Sequence, residues 1–105
     1  MNCSRHDVVL LPIPFTDLSS QKVRPAVVLG HGSFPGDLFV VPITSQLANT
    51  DFPLNAWQAA GLNVPCGIKS QICTIEDRLV RKVVGRLHPT DVATLQTHLR
   101  NWLGL

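Results

Sequence analysis

The sequence predicts a small, mainly β domain with α additions: a curled antiparallel barrel completed by one C-terminal amphipathic helix. Three observations carry this prediction. Short apolar runs rich in β-branched residues, such as DVVLLPIPF, PAVVL and LFVVPI, are separated by turns bearing proline and glycine. Near the C-terminus, Val92, Leu95, Leu99 and Trp102 recur at intervals of three and four, the period of a helix with one apolar face. Finally, the 105 residues show no linker and no internal repeat, which leaves room for a single domain over 1–105 with an economical core. A curled sheet hides its edges and needs few residues to do so.

Taken in order, Asp7 to Phe15 forms the first strand, whose distal part leaves the sheet because Pro12 and Pro14 cannot donate to a ladder. Thr16 to Val23 is a short polar loop, and a second strand begins near Arg24 and runs to Leu29. Gly30 to Gly36 is a turn, and Leu38 to Ile43 is a third strand that hands over to Thr44-Ser45-Gln46. A weak strand lies over Phe52 to Leu54, followed by a helical turn at Ala56 to Ala60 that ends on Gly61, a residue able to adopt the left-handed conformation. Further strands are expected at Ile68 to Thr74 and at Leu79 to Leu87, the latter either a strand or a helical turn leading into one. The final helix starts at Thr90 or the residue before it, with Asp91 in its first turn, Arg100 in its last and Gly104 just beyond.

Composition excludes several classes. With 45% hydrophobic and 15% charged residues the chain is too apolar for a disordered protein. No apolar run is long enough to span a membrane, and the opening residues lack the pattern of a signal peptide because Asp7, Pro12 and Pro14 intervene. A dinucleotide-binding domain with a catalytic partner, or an α/β barrel, needs a longer chain. The three cysteines, Cys3, Cys66 and Cys73, have no metal-binding spacing, so buried thiols in a reducing cytoplasmic setting are expected and no metal is. The net charge of +2 is small, but Lys69, Arg78, Arg81, Lys82 and Arg86 face only Glu76 and Asp77 within one stretch. That stretch fits either a phosphate-bordering surface or a solvated basic edge.

Three polar groups interrupt the apolar strands beside prolines: Thr16 and Asp17 after PIPF, Arg24 before Pro25, and Thr44 with Ser45 after Pro42-Ile43. A guanidinium presents a rigid fork of donors to phosphate oxygens and stabilises charge that develops there. Arg24 is therefore a candidate functional residue, or else it ties its loop to Asp7 or Asp17. The hydroxyls of Thr44 and Ser45 suit either a phosphate or base contact or a turn cap. His6, His31, His88 and His98 have no partner at diagnostic spacing and are expected on the surface; His98 is expected on the helix face away from Leu95 and Leu99. Trp57 either stacks on a base or packs beneath a loop, packing being the commoner use.

These same residues carry a resemblance. DVVLLPIPFTDLSSQKVRPAVVLG resembles the opening of the MazF/PemK-like toxin family, VVPITSQ its third-strand motif, and AGLNVPCGIKSQICTIEDRLVRKVVGRLHPTDV its later segment. The islands occur in the family's order and cover most of the chain. The resemblance implies an SH3-like barrel with helical additions, usually a homodimer, and a metal-independent, sequence-specific endoribonuclease with no cofactor. Such toxins cut single-stranded RNA and are neutralised by a small acidic antitoxin. By the same resemblance Arg24 and Thr44 are catalytic, and Thr16, Asp17, Gln21, Lys22, Ser45, Gln46, Lys69 and Ser70 contact RNA. The chain departs from the family pattern where His6 replaces a glycine before Asp7, where the first loop reads Ser19-Ser20-Gln21, and where Cys73 stands in place of a common arginine. Two alternatives remain alongside: a binding module of the same fold that engages RNA or an antitoxin-like peptide, and a poison of DNA gyrase.

Overall fold

The computed structural model describes residues 2–12 and 22–105. Seven strands form one antiparallel sheet: β1 Asp7–Pro12, β2 Val23–His31, β3 Asp37–Thr44, β4 Phe52–Pro53, β5 Gly67–Ile68, β6 Cys73–Glu76 and β7 Lys82–Arg86, followed by α1, Pro89–Leu103. The order is β4-β5-β3-β2-β1-β7, with β6 also paired to β3. Among the described residues the sheet curls without closing, since β6 and β7 are joined by the 3₁₀ turn Asp77–Leu79 rather than by a ladder. The barrel expected from sequence is thus an open curl.

The central strands read as continuous apolar runs because both of their faces are buried. On one face Val9, Leu11, Ala26, Val28, Leu38 and Val40 pack with Cys3 and Val80 inside the curl. On the other, Val8, Val27, Val41, Ile43 and Ile68 pack with Phe52, Leu54, Leu87 and Leu95 beneath α1. Strand alternation sends successive residues to these two cores.

The boundaries follow local chemistry. β2 runs on through Gly30 to His31, past the expected turn, because a bulge at Leu29 lets Gly30 pair with Phe39. The strand expected over Ile68 to Thr74 is divided: Gly67–Ile68 pairs with the end of β3, and Cys73–Glu76 pairs with its beginning. Leu79 to Leu87 turns out to hold the end of a 3₁₀ turn and then a strand, which satisfies both descriptions of that segment. α1 begins at Pro89, with His88 as cap accepting a hydrogen bond from the Thr90 amide, and ends at Gly104 in the left-handed conformation.

Two interactions absent from the sequence expectations anchor α1. Asp91, 1% exposed, accepts hydrogen bonds from the backbone amides of Asn55 and Ala56, both at 2.9 Å. It thereby holds the 55–61 turn as well as suiting the helix dipole. His98, expected on the solvent side, instead stacks on Phe52 with ring centroids 4.3 Å apart and meets Trp102 at 5.5 Å. Its flat ring extends the apolar stripe at a position where periodicity counted only aliphatic and indole side chains. Trp57 packs against the same core, in agreement with the packing use.

The 55–61 turn lies directly on β7. A Cβ at Gly61, whose φ is +90°, would stand 2.3 Å from the Val84 carbonyl oxygen, and a Cβ at Gly85 would stand 2.3 Å from that of Ala60. Val84 is the extra residue of a bulge between β1 and β7. The glycines at Gly61 and Gly85 therefore let two backbones touch, and this contact fixes where the following loop, 62–66, runs.

Candidate functional site: the groove at the end of β2 and β3

At the end of the sheet away from the β2–β3 turn, the helix-side core opens into a groove of about 330 Å³. Its floor is Leu10, Pro25, Ile43, Cys66 and Val84, and the 61–64 loop with Val23 forms its walls. Among the described residues, Arg24, Ser45 and Asn63 are its polar lining residues and no acidic residue lines it. Burial pushes the Cys66 thiol up from its ordinary pKa, and the thiol faces the Val64 carbonyl at 3.2 Å, so it belongs to the inert floor.

Strand register brings the two candidate catalytic residues together. Ala26 lies opposite Pro42 and Val27 opposite Val41, so continuing the same register past Ala26 puts Arg24 across from Thr44. The pleat gives both residues the face of Ala26 and Val28, inside the curl, so Arg24 borders the helix-side groove only at the strand end, from the other face of the sheet. Thr44 also pairs with Gly67, and the Lys69 amide donates to the Pro42 carbonyl at 3.2 Å, which continues that ladder and sets Lys69 on the same face as Thr44. Arg24 is exposed, Thr44 and Lys69 half-buried.

The hydrogen bonds around Thr44 bear on its use. Thr44 Oγ1 accepts a hydrogen bond from the Gln46 amide at 3.1 Å, which leaves its hydroxyl proton free to donate outward. Gln46 Oε1 accepts from Asn49 Nδ2 at 3.0 Å, so its carboxamide braces the 3₁₀ turn Leu47–Asn49. The Ser70 amide donates to Asp51 Oδ2 at 2.7 Å, which holds the chain beyond Lys69 in place. Gln46 and Ser70 are thus engaged in shaping the loops, while Ser45 lines the groove. Lys22 is exposed just before β2. Thr16, Asp17 and Gln21 lie outside the described residues.

The structural use suggested for Arg24 does not involve Asp7. Asp7 is buried and takes the Arg86 guanidinium at 3.0 Å, and its other carboxylate oxygen accepts from the Ser4 amide at 2.8 Å. Among the described residues Arg24 has no ion-pair partner. The basic stretch from Lys69 to Arg86 is likewise partly consumed, with Arg86 on Asp7 and Arg78 on Glu76. The histidines serve elsewhere: His31 Nε2 contacts the Cys3 carbonyl at 2.9 Å, His88 caps α1, His98 stacks, and His6 sits before β1.

His6 has a φ of 73°, the left-handed region that favours glycine. The backbone at this position is thus one that glycine adopts more easily than histidine. Burial, with Arg5 and Arg86 nearby, lowers the His6 pKa from the ordinary 6.5.

Asn63 and the 61–64 wall were not singled out from sequence, because only the Gly61–Val84 contact brings that loop to Arg24. No helix among the described residues is long and apolar enough to cross a membrane. A search among curated proteins finds no match to the chain. The family model for the PemK-like, MazF-like toxins of type II toxin–antitoxin systems matches residues 4–103. With nearly its whole length matched, the chain belongs to that family of toxins.

Proposed function

We propose that the protein is a metal-independent, sequence-specific endoribonuclease toxin acting on single-stranded RNA. The observation that supports this reading is the antiparallel β2–β3 register through Ala26 and Pro42, whose continuation sets Arg24 opposite Thr44 at the exposed end of two neighbouring strands. The substrate's own 2′-hydroxyl attacks the adjacent phosphorus, the bond to the 5′-oxygen breaks, and the products carry a 2′,3′-cyclic phosphate and a 5′-hydroxyl. Arg24 neutralises the charge that accumulates on the phosphoryl oxygens, in the place a metal ion takes in other nucleases. Thr44 donates its free hydroxyl proton to a phosphoryl oxygen and fixes the phosphate relative to Arg24. Lys69, on the same face, adds positive charge along the backbone of the RNA.

A small acidic antitoxin neutralises the protein by covering the same surface, and the active species is a homodimer in the cytoplasm. In EDTA, purified protein cuts a long unstructured RNA at a short recurring motif, with cyclic phosphate ends, and Arg24→Ala does not. Intact RNA with folded, antitoxin-free protein overturns the reading.

One observation favours a second reading. Among the described residues, no carboxylate or imidazole lines the groove beside Arg24 to act as general base. A protein of this fold that binds RNA or an antitoxin-like peptide without cutting would show saturable binding and no new RNA ends.

A further inference from the structure

We propose that Asp51 is a positioning residue: its amide and its carboxylate together set the direction in which Lys69 leaves the sheet, and so where Lys69 meets the RNA backbone. The proposal rests on the ribonuclease reading and adds to it a residue, apart from Arg24 and Thr44, that governs how the strand is held.

Two peptide units flank the Lys69 Cα, and both are tied down. The first joins Ile68 to Lys69. Its carbonyl accepts from the Asp51 amide at 2.8 Å, and its N–H donates to the Pro42 carbonyl at 3.2 Å. The second joins Lys69 to Ser70, and its N–H donates to Asp51 Oδ2 at 2.7 Å. With both planes held, the two soft dihedrals of Lys69 are fixed, and the direction of its Cα–Cβ bond follows. Asp51 supplies two of these three bonds.

Register explains why Asp51 can do this. Phe52 pairs with Ile68, so continuing the β4–β5 ladder by one residue sets Asp51 opposite Lys69. Phe52 and Ile68 are buried on the helix side, and the pleat turns their neighbours Asp51 and Lys69 to the face of Thr44. An acid across from a lysine commonly takes its ammonium. Here, among the described residues, Lys69 has no ion pair, and the Asp51 carboxylate is engaged by the Ser70 amide in a charge-assisted hydrogen bond. The lysine is thereby held at its root without being neutralised. Its four-carbon stem is flexible, so fixing the root reduces the freedom lost when the ammonium meets a phosphate.

Asp51 also places a negative charge on the face that RNA approaches, which repels phosphate. Its hydrogen bond helps binding and its charge hinders it, and asparagine separates the two. A carboxamide oxygen still accepts from the Ser70 amide while the charge is gone.

The test measures affinity for a single-stranded RNA with every ribose 2′-O-methylated, which attack by a 2′-hydroxyl cannot cut, by calorimetry over a range of salt. Asp51→Ala should bind about fivefold more weakly, with a salt dependence shallower by up to about 0.7, the value of one phosphate contact on a single strand. Asp51→Asn should bind at least as tightly as the wild type. Lys69→Ala should show a loss no smaller than that of Asp51→Ala, and the double alanine variant should be no weaker than Lys69→Ala alone. Circular dichroism verifies the fold of each variant. Tighter binding by both the alanine and the asparagine variants makes Asp51 a repelling charge only and overturns the proposal. An asparagine variant as weak as the alanine one also overturns it, as do additive losses in the double variant. Wild-type protein that binds and cuts RNA, with Asp51→Ala matching its affinity, removes the positioning role and leaves the nuclease. Binding without cutting, with the asparagine rescue intact, removes the nuclease and keeps the positioning role. Wild-type protein that binds neither methylated nor ordinary RNA defeats the ribonuclease reading, and the proposal falls with it.

Discussion

Asp91 and Arg24 are both charged residues near a proline, and the molecule treats them in opposite ways. Asp91 is buried in the first turn of α1 with each carboxylate oxygen satisfied by a backbone amide. Arg24 stands exposed at the end of β2 with no ion-pair partner among the described residues. The helix-backed region is completed by its own contacts, among them the Phe52–His98 stack and the turn laid on β7. The groove end leaves polar groups open beside an apolar slot. A charge whose partners lie within the chain supports the fold, and a charge left open is available to a ligand.

Substitutions at the two ends should therefore separate activity from stability. The largest effect is expected for Arg24→Ala, a loss of about 10²–10³ in RNA cleavage rate, as for removal of one charge-stabilising donor elsewhere. Its melting temperature should remain that of the wild type, and a comparable loss of stability would break the contrast. Asp91→Ala should show the opposite pattern. Leaving the Asn55 and Ala56 amides without their acceptor costs about 3 kcal/mol, a fall on the order of 15 °C in a domain of this size. At low temperature its remaining folded fraction should cut at the wild-type rate per folded molecule.

Thr44→Val comes next, with a loss of about tenfold in rate, or ~1.4 kcal/mol, from one hydroxyl that meets the phosphate. If its kcat stays at the wild-type value, Thr44 serves only to accept the Gln46 amide.

The smallest effect concerns His6. Relief of its left-handed backbone in His6→Gly should raise stability by about 1 kcal/mol. The sign of the pH dependence follows from its lowered pKa. As pH falls below the ordinary 6.5, the unfolded chain takes up the proton before the folded one does, so this part of the stability is full above that value and is lost in acid. Urea midpoints at pH 7.5 and 5.5 should draw together in the glycine variant. An unchanged gap between them would assign the acid sensitivity to other groups.

Much of this architecture was legible from local chemistry. The apolar runs marked β1, β2 and β3, the three-and-four spacing marked α1, and Gly61 and Gly104 marked chain reversals that both glycines make with positive φ. The segment from Ile68 to Thr74 was not legible as two strands, since which part of β3 each half meets is a matter of long-range register. His98 was misplaced because its apolar partner, Phe52, is remote in sequence.

Of the site, Arg24 and Thr44 stood out beside prolines at strand ends, and family resemblance assigned them roles. What the sequence by itself determined was the set of strands and the one helix, because apolar periodicity and turn residues act over a few positions. Only the tertiary structure decided which polar residues share the groove. Arg24, Ser45 and Asn63 meet there because an antiparallel register and a glycine-to-backbone contact at Val84 bring distant segments together, and neither leaves a mark in local spacing.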